Sequence, residues 1–144
     1  MLNEIAKEWD CTIVWNRLEK YSSVGTLEWY AHSQHRQIKM NSSDLTRLVK
    51  ENTPPTDDEI ISLLHEIGHI ALNHQIVEKF QQNSIYRYRL EAEAWKFCKL
   101  HSTKYSMPQS TITHNTLEAL HTYRRGLSVK VRNAIHTLYG IDRM

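Results

Sequence analysis

A chain of 144 residues with 40% hydrophobic and 24% charged side chains has the size and balance of one globular domain, spanning 1–144. Its formal charge of +2 is too small to indicate a nucleic-acid binder, and no apolar run approaches a membrane span or a signal-peptide core. Two cysteines, Cys11 and Cys98, do not make a disulfide framework, so a cytoplasmic location is expected.

Leu2, Ile5, Ala6 and Trp9 fall on one side of a short amphipathic helix over 2–9. Three β-rich segments follow. In 11–15, Cys11, Ile13 and Trp15 alternate; in 26–32, Leu27, Trp29 and Ala31 do; in 36–41, Ile38 and Met40 do. Loops are expected at 21–25 and 33–35. The three strands predict a small antiparallel sheet within about 10–41. Leu45, Leu48 and Val49 mark one or two helical turns within 42–52. A long helix is expected over 57–80, a polar break at 81–84 and another helix over 86–100. A looser stretch containing Pro108 spans 102–113. Two helical segments, 115–123 and 128–139, close the chain, with Gly126 between them. The order helix, strands, helices predicts an α+β domain with metal-site helices at about 57–101 and a helical tail at about 114–140.

The stretch that carries chemistry is His65-Glu66-Ile67-Gly68-His69. Residues four apart on a helix project from one face, so His65 and His69 can offer two imidazoles to one metal ion. Glu66, beside the first ligand, can take a proton from a water on that metal, as in zinc hydrolases. Thr56 with Glu59 three residues on is a capping box after Pro54-Pro55. Ile60, Ile61, Leu63, Leu64, Ile67, Ile70 and Ala71 make the apolar stripe of a buried helix. Gly68 mid-helix costs about 1 kcal/mol relative to Ala, which a close approach by a sheet would explain.

A catalytic zinc needs a third protein ligand and one open position. The extension that places a third His six residues after the second meets Gln75 instead. On a continuing helix, His74 points about 140° away from His69 and reads as a surface residue. The remaining candidates are Glu91 and Glu93 in Glu91-Ala92-Glu93-Ala94-Trp95, of which only one can face the metal. The bland reading makes both solvent-facing partners of Arg87 and Arg89.

The stretch from His65 to His74, followed by Glu91-Ala92-Glu93-Ala94-Trp95-Lys96-Phe97-Cys98, resembles the ImmA/IrrE metallopeptidases. That family pairs an H-E-x-G-H helix with a later E-x-E-A-D-x-F-A stretch, after a short sheet whose last strand is similar to 36–41. The resemblance covers about 36–98 and implies a zincin-like fold. It implies Zn²⁺ held by His65, His69 and Glu91, with Glu93 as second choice for the third ligand. It also implies that the substrate is a specific regulatory protein, such as a phage or mobile-element repressor. One departure stands out: Trp95 occupies the position where the family often has an Asp able to orient a zinc-bound His. The Met-Pro pair that usually follows is displaced, to Met107-Pro108.

In the mechanism this implies, Glu66 relays a proton from water to the leaving amine, and a second donor supports the oxyanion. Tyr105, His101, His114, His121 and Tyr123 are the candidates. An extended substrate would pair with a strand edge, for which 36–41 is the candidate. Two other readings compete. Trp95 leaves room for a zinc-binding regulatory protein without turnover. From residue 101 onward the chain has six basic residues, Lys104, Arg124, Arg125, Lys130, Arg132 and Arg143, against two acidic ones. That excess leaves weak room for a nucleic-acid partner, although a solvated helix face is the simpler reading.

Overall fold

The computed structural model describes residues 1–17, 28–32, 36–42, 54–74 and 84–141; in the strands, the side chains of 15–17, 28–32 and 40–42 are not among those described. The loop expected at 21–25, the turn at 33–35, all but Ser42 of the helical turns expected within 42–52, and most of the polar break at 81–84 lie outside these residues. The described residues are mixed α and β and mostly helical. The chain divides into two compact units, Met1–Asn73 and His74–Met144.

The first unit opens with α1 (Leu2–Glu8), whose Leu2, Ile5 and Ala6 are buried. β1 (Thr12–Arg17), β2 (Glu28–His32) and β3 (Gln37–Ser42) form one sheet in the order β1-β3-β2. The expected three strands are present, but the sheet is mixed rather than antiparallel. β1 pairs with β3 in parallel, with Ile13 opposite Ile38, and β2 pairs with β3 antiparallel, with Ala31 opposite Ile38. Apolar alternation identifies which face of a strand is buried and is blind to strand direction, so the sequence pattern could not separate the two arrangements. The alternation holds where side chains are described, at β1 and β3: Cys11, Ile13 and Ile38 are buried, whereas Thr12 and Lys39 are exposed; that expected of Trp15, Leu27, Trp29, Ala31 and Met40 lies outside the described side chains.

This topology also corrects the expected substrate edge. β3 is hydrogen-bonded on both sides, so 36–41 offers no edge; among the described strands the edges are β1 and β2. At the entry to β3, Arg36 takes φ 51. From there it ties back to the α1–β1 turn: Nε donates to the Asp10 carbonyl at 2.9 Å, and Nη2 donates to that of Trp9.

The long helix of this unit is α2 (Asp57–Ala71). It packs on β2 and on α1. Ile61, Leu63, Leu64 and Ile67 are fully buried. Each such side chain contributes about 1.5–3 kcal/mol of hydrophobic stabilisation. The helix ends well short of the expected residue 80. Leu72 closes the last turn through its N–H to the Gly68 carbonyl at 3.0 Å, and Asn73 adopts φ 55, a left-handed conformation that asparagine tolerates.

The second unit is built on α3 (Ile85–Ser102), which is capped by Ser84 and continues into a 3-10 turn, Thr103–Tyr105. α4 (Gln109–His121) and α5 (Val129–Tyr139) both pack on it. Residues 109–113, read as loose chain, are helical. Pro108 is the N-cap, where its missing N–H costs nothing, so the proline starts a helix rather than breaking one. α5 matches its expected bounds, with Ser128 as N-cap and Gly140 at φ 65 after its last turn.

Candidate metal centre

The capping box read from Thr56 and Glu59 is formed in both directions. The Thr56 hydroxyl accepts from the Glu59 N–H at 3.2 Å, and the Glu59 carboxylate accepts from the Thr56 N–H at 2.9 Å. Asp57, Asp58 and Glu59 place negative charge in the first turn, where the helix dipole favours it. The apolar stripe then anchors α2 in the first unit's core and fixes its rotation. That rotation brings His65 and His69 onto one face.

Their rings lie 4.8 Å apart between centroids and are inclined at 71°, edge to face. His65 Nδ1 is 3.4 Å from Glu66 Oε1. One potential ligand atom from each of His65, Glu66 and His69 can be chosen so that all lie within 4.8 Å of one another. Two nitrogens and a carboxylate oxygen at that spacing can hold a divalent metal, and imidazole suits zinc, copper, iron and nickel. His69 is 2% exposed and lies in the core. His65 and Glu66 keep 12% and 13% of their side-chain surface accessible, so solvent reaches one side of the cluster. That asymmetry suits a group that must meet both metal and water.

Both acidic candidates lie on α3. Glu91 is buried, and its Oε1 accepts from Arg87 Nε at 3.0 Å. Glu93 is half-buried. Its Oε2 lies 2.8 Å from His74 Nε2, and its Oε1 accepts from the Tyr139 hydroxyl at 2.6 Å. Burial by itself would raise the Glu93 pKa, but the hydrogen bonds from Tyr139 and His74 outweigh it and hold the carboxyl below its ordinary value. Neither glutamate is the solvent-facing residue of the bland reading, although the Arg87–Glu91 pairing was legible in their spacing. His74 is also buried, not on the surface. The angular argument that turned it outward assumed a continuous helix, and the turn at Asn73 removes that premise.

Trp95 is buried and lines a small cavity with Ile112, Thr116, Tyr139 and Ile141. The indole therefore serves the packing of α3 against α4 and α5. The five oxyanion candidates are scattered within the second unit. The His101 ring packs against Phe97 at a tilt, with centroids 4.3 Å apart, and Tyr105 lies beneath the Lys104 ammonium at 5.9 Å. His114 pairs with Glu118 at 3.3 Å on an exposed face. His121 is exposed at the end of α4, and its carbonyl accepts from Arg124. Tyr123 lies under the Arg87 guanidinium, whose centre is 5.2 Å from the ring centroid. Nothing in this arrangement gathers them at one point.

A buried polar pair went unread in the sequence. Tyr88 and His136, both fully buried, meet at 2.7 Å between the hydroxyl and Nε2. They are 48 residues apart, and no local pattern signals such a pairing. No described helix is long and apolar enough to cross a membrane. Searches against family models, curated proteins and solved structures returned no match for this chain.

Proposed function

We propose that this chain is a zinc-dependent peptidase acting on a specific regulatory protein. The observation that carries the reading is the His65–Glu66–His69 cluster on a capped, buried helix. The resemblance to the ImmA/IrrE metallopeptidases supports a zincin-like fold, Glu91 as third ligand and a repressor of the phage or mobile-element kind as substrate. Glu93, whose two oxygens meet His74 and Tyr139, remains the second choice that the resemblance leaves.

Zinc, when bound, would supply Lewis acidity, making a water a stronger acid near neutral pH and polarising the scissile carbonyl. His65 and His69 would hold the ion through their ring nitrogens. Glu66, partly accessible beside His65, accepts the water's proton and delivers it to the departing amine. The β2 edge, on the strand that packs against α2, is the candidate partner for an extended substrate backbone.

The test is metal content and cleavage together. The purified chain should retain about one zinc and cleave one candidate repressor at a defined bond, read by mass spectrometry. His65→Ala and His69→Ala should lose the metal. A chain that takes up no divalent metal under zinc-replete conditions would refute the proposal.

A second reading is a zinc-binding regulatory protein without turnover. Trp95 favours it, since an indole cannot accept the hydrogen bond that an Asp at that position accepts. Zinc retained with no cleavage of any neighbouring repressor would select it.

A further inference from the structure

A small half-open notch lies where α3 meets α4 and the end of α5, entirely within the second unit. Its floor is apolar, with buried Trp95 and Ile112 joined by Ile141. Its rim is basic. Lys96 and Lys99, one turn apart on α3, both line it and both are exposed. No carboxylate lines it. Leu100, four residues beyond Lys96 and so on the same face of α3, is 63% exposed.

Two ammonium groups at this spacing repel each other, and an anion between them relieves the repulsion. The described ion pairs of the unit join other residues: Arg87 to Glu91, His74 to Glu93 and His114 to Glu118. Glu118 is the only exposed carboxylate among the unit's described residues. Lys99 Nζ donates to the Gly140 carbonyl at 3.5 Å, at the helix end where the dipole favours a cation. An ammonium carries three N–H donors, so this contact leaves others for a ligand. The Glu93 carboxylate meets Tyr139 on the notch wall, but does not itself line the notch, and the Arg89 charge acts on it.

We propose that this notch docks an acidic segment of a protein partner. One aliphatic side chain enters over Trp95 and Ile112, and flanking carboxylates pair with Lys96 and Lys99. The notch has room for the tip of one side chain, so the lysines fix the register of what binds. Exposed ion pairs contribute modestly and are screened by salt, which makes the contact weak and salt-sensitive. A nucleic acid fits less well. Its phosphates bring charge without an aliphatic side chain, and Trp95, 6% exposed, has no open face for a base to stack on. The surface belongs to one unit and uses no metal, so it stands independently of the proposed zinc chemistry.

The probe is a fluorescent peptide with one leucine between pairs of glutamates, titrated against the full chain by anisotropy and located by amide NMR. Binding should weaken as salt rises, with shifts at Thr113, Gly140 and Ile141. Lys96→Glu combined with Lys99→Glu should weaken it at least about tenfold, because like charges then meet. Replacing the peptide's leucine by serine should cost about fourfold or more, the loss expected for one buried methylene. If the double variant does not fold, Lys96→Glu alone decides, since Lys96 has no part in the Gly140 contact. Absence of binding at low salt, equal affinity in the lysine variants, or equal affinity of the serine peptide would overturn the proposal. So would a DNA duplex bound as tightly through the same lysines, or a dimer of this chain that the lysine variants dissolve.

Discussion

His74 and Glu93 meet at 2.8 Å between Nε2 and Oε2, with the histidine side chain almost fully enclosed. The same carboxylate accepts from Tyr139, so its two oxygens are both engaged before any metal is considered. The resemblance assigns the third ligand to Glu91 rather than Glu93, and variants of the two test that assignment. Glu93→Gln should leave zinc affinity unchanged and destabilise the fold by about 1–3 kcal/mol through its lost charged hydrogen bonds. Glu91→Ala should abolish tight zinc binding. Zinc titration and urea unfolding of both variants check the pair, and the opposite ranking would move the third ligand to Glu93.

Glu66 adjoins His65, and the proposed mechanism gives it proton transfer rather than ligation. Glu66→Gln should therefore retain stoichiometric zinc and lose about 10²–10⁴-fold in peptide cleavage. Inductively coupled plasma analysis and a cleavage time course on the same preparation provide the check. Loss of zinc in this variant would make Glu66 a ligand.

The capping box of α2 is separate from the metal chemistry. Thr56→Ala removes the acceptor for the Glu59 N–H. The expected cost is about 1 kcal/mol. That corresponds to a fall of about 3 °C in melting temperature. The metal-free protein should show it as clearly as the loaded one, because the box lies at the far end of the helix from His69. Calorimetry on both forms tests this.

Burial pushes the Cys98 thiol up from 9.0 to about 12. The native state therefore keeps its proton at a pH where the unfolded chain loses it. Stability is unaffected below about pH 9 and falls as pH rises from there toward 12, by about 1.4 kcal/mol per pH unit for this one proton. Unfolding curves between pH 8 and 11 should show that slope, and Cys98→Ala should reduce it. Iodoacetamide at pH 8 should label Cys98 only after denaturation, since the thiolate is the reactive form.

What the amino-acid order determined was local. Two histidines four apart, a Thr with a Glu three residues later, and an apolar stripe specify α2 and the face that carries His65 and His69, because helix geometry alone brings those atoms together. The buried faces of Ile13 in β1 and Ile38 in β3 were legible from apolar alternation. Strand direction, the central place of β3 and the end of α2 were not, since they depend on pairing between distant segments and on a single left-handed residue, Asn73. Only the tertiary structure decided the company each acidic candidate keeps. Tyr123 reaches Arg87 across 36 residues and Tyr139 reaches Glu93 across 46. Separations of that size leave no periodic trace in a sequence, because the energy that selects them is burial and hydrogen bonding between packed helices.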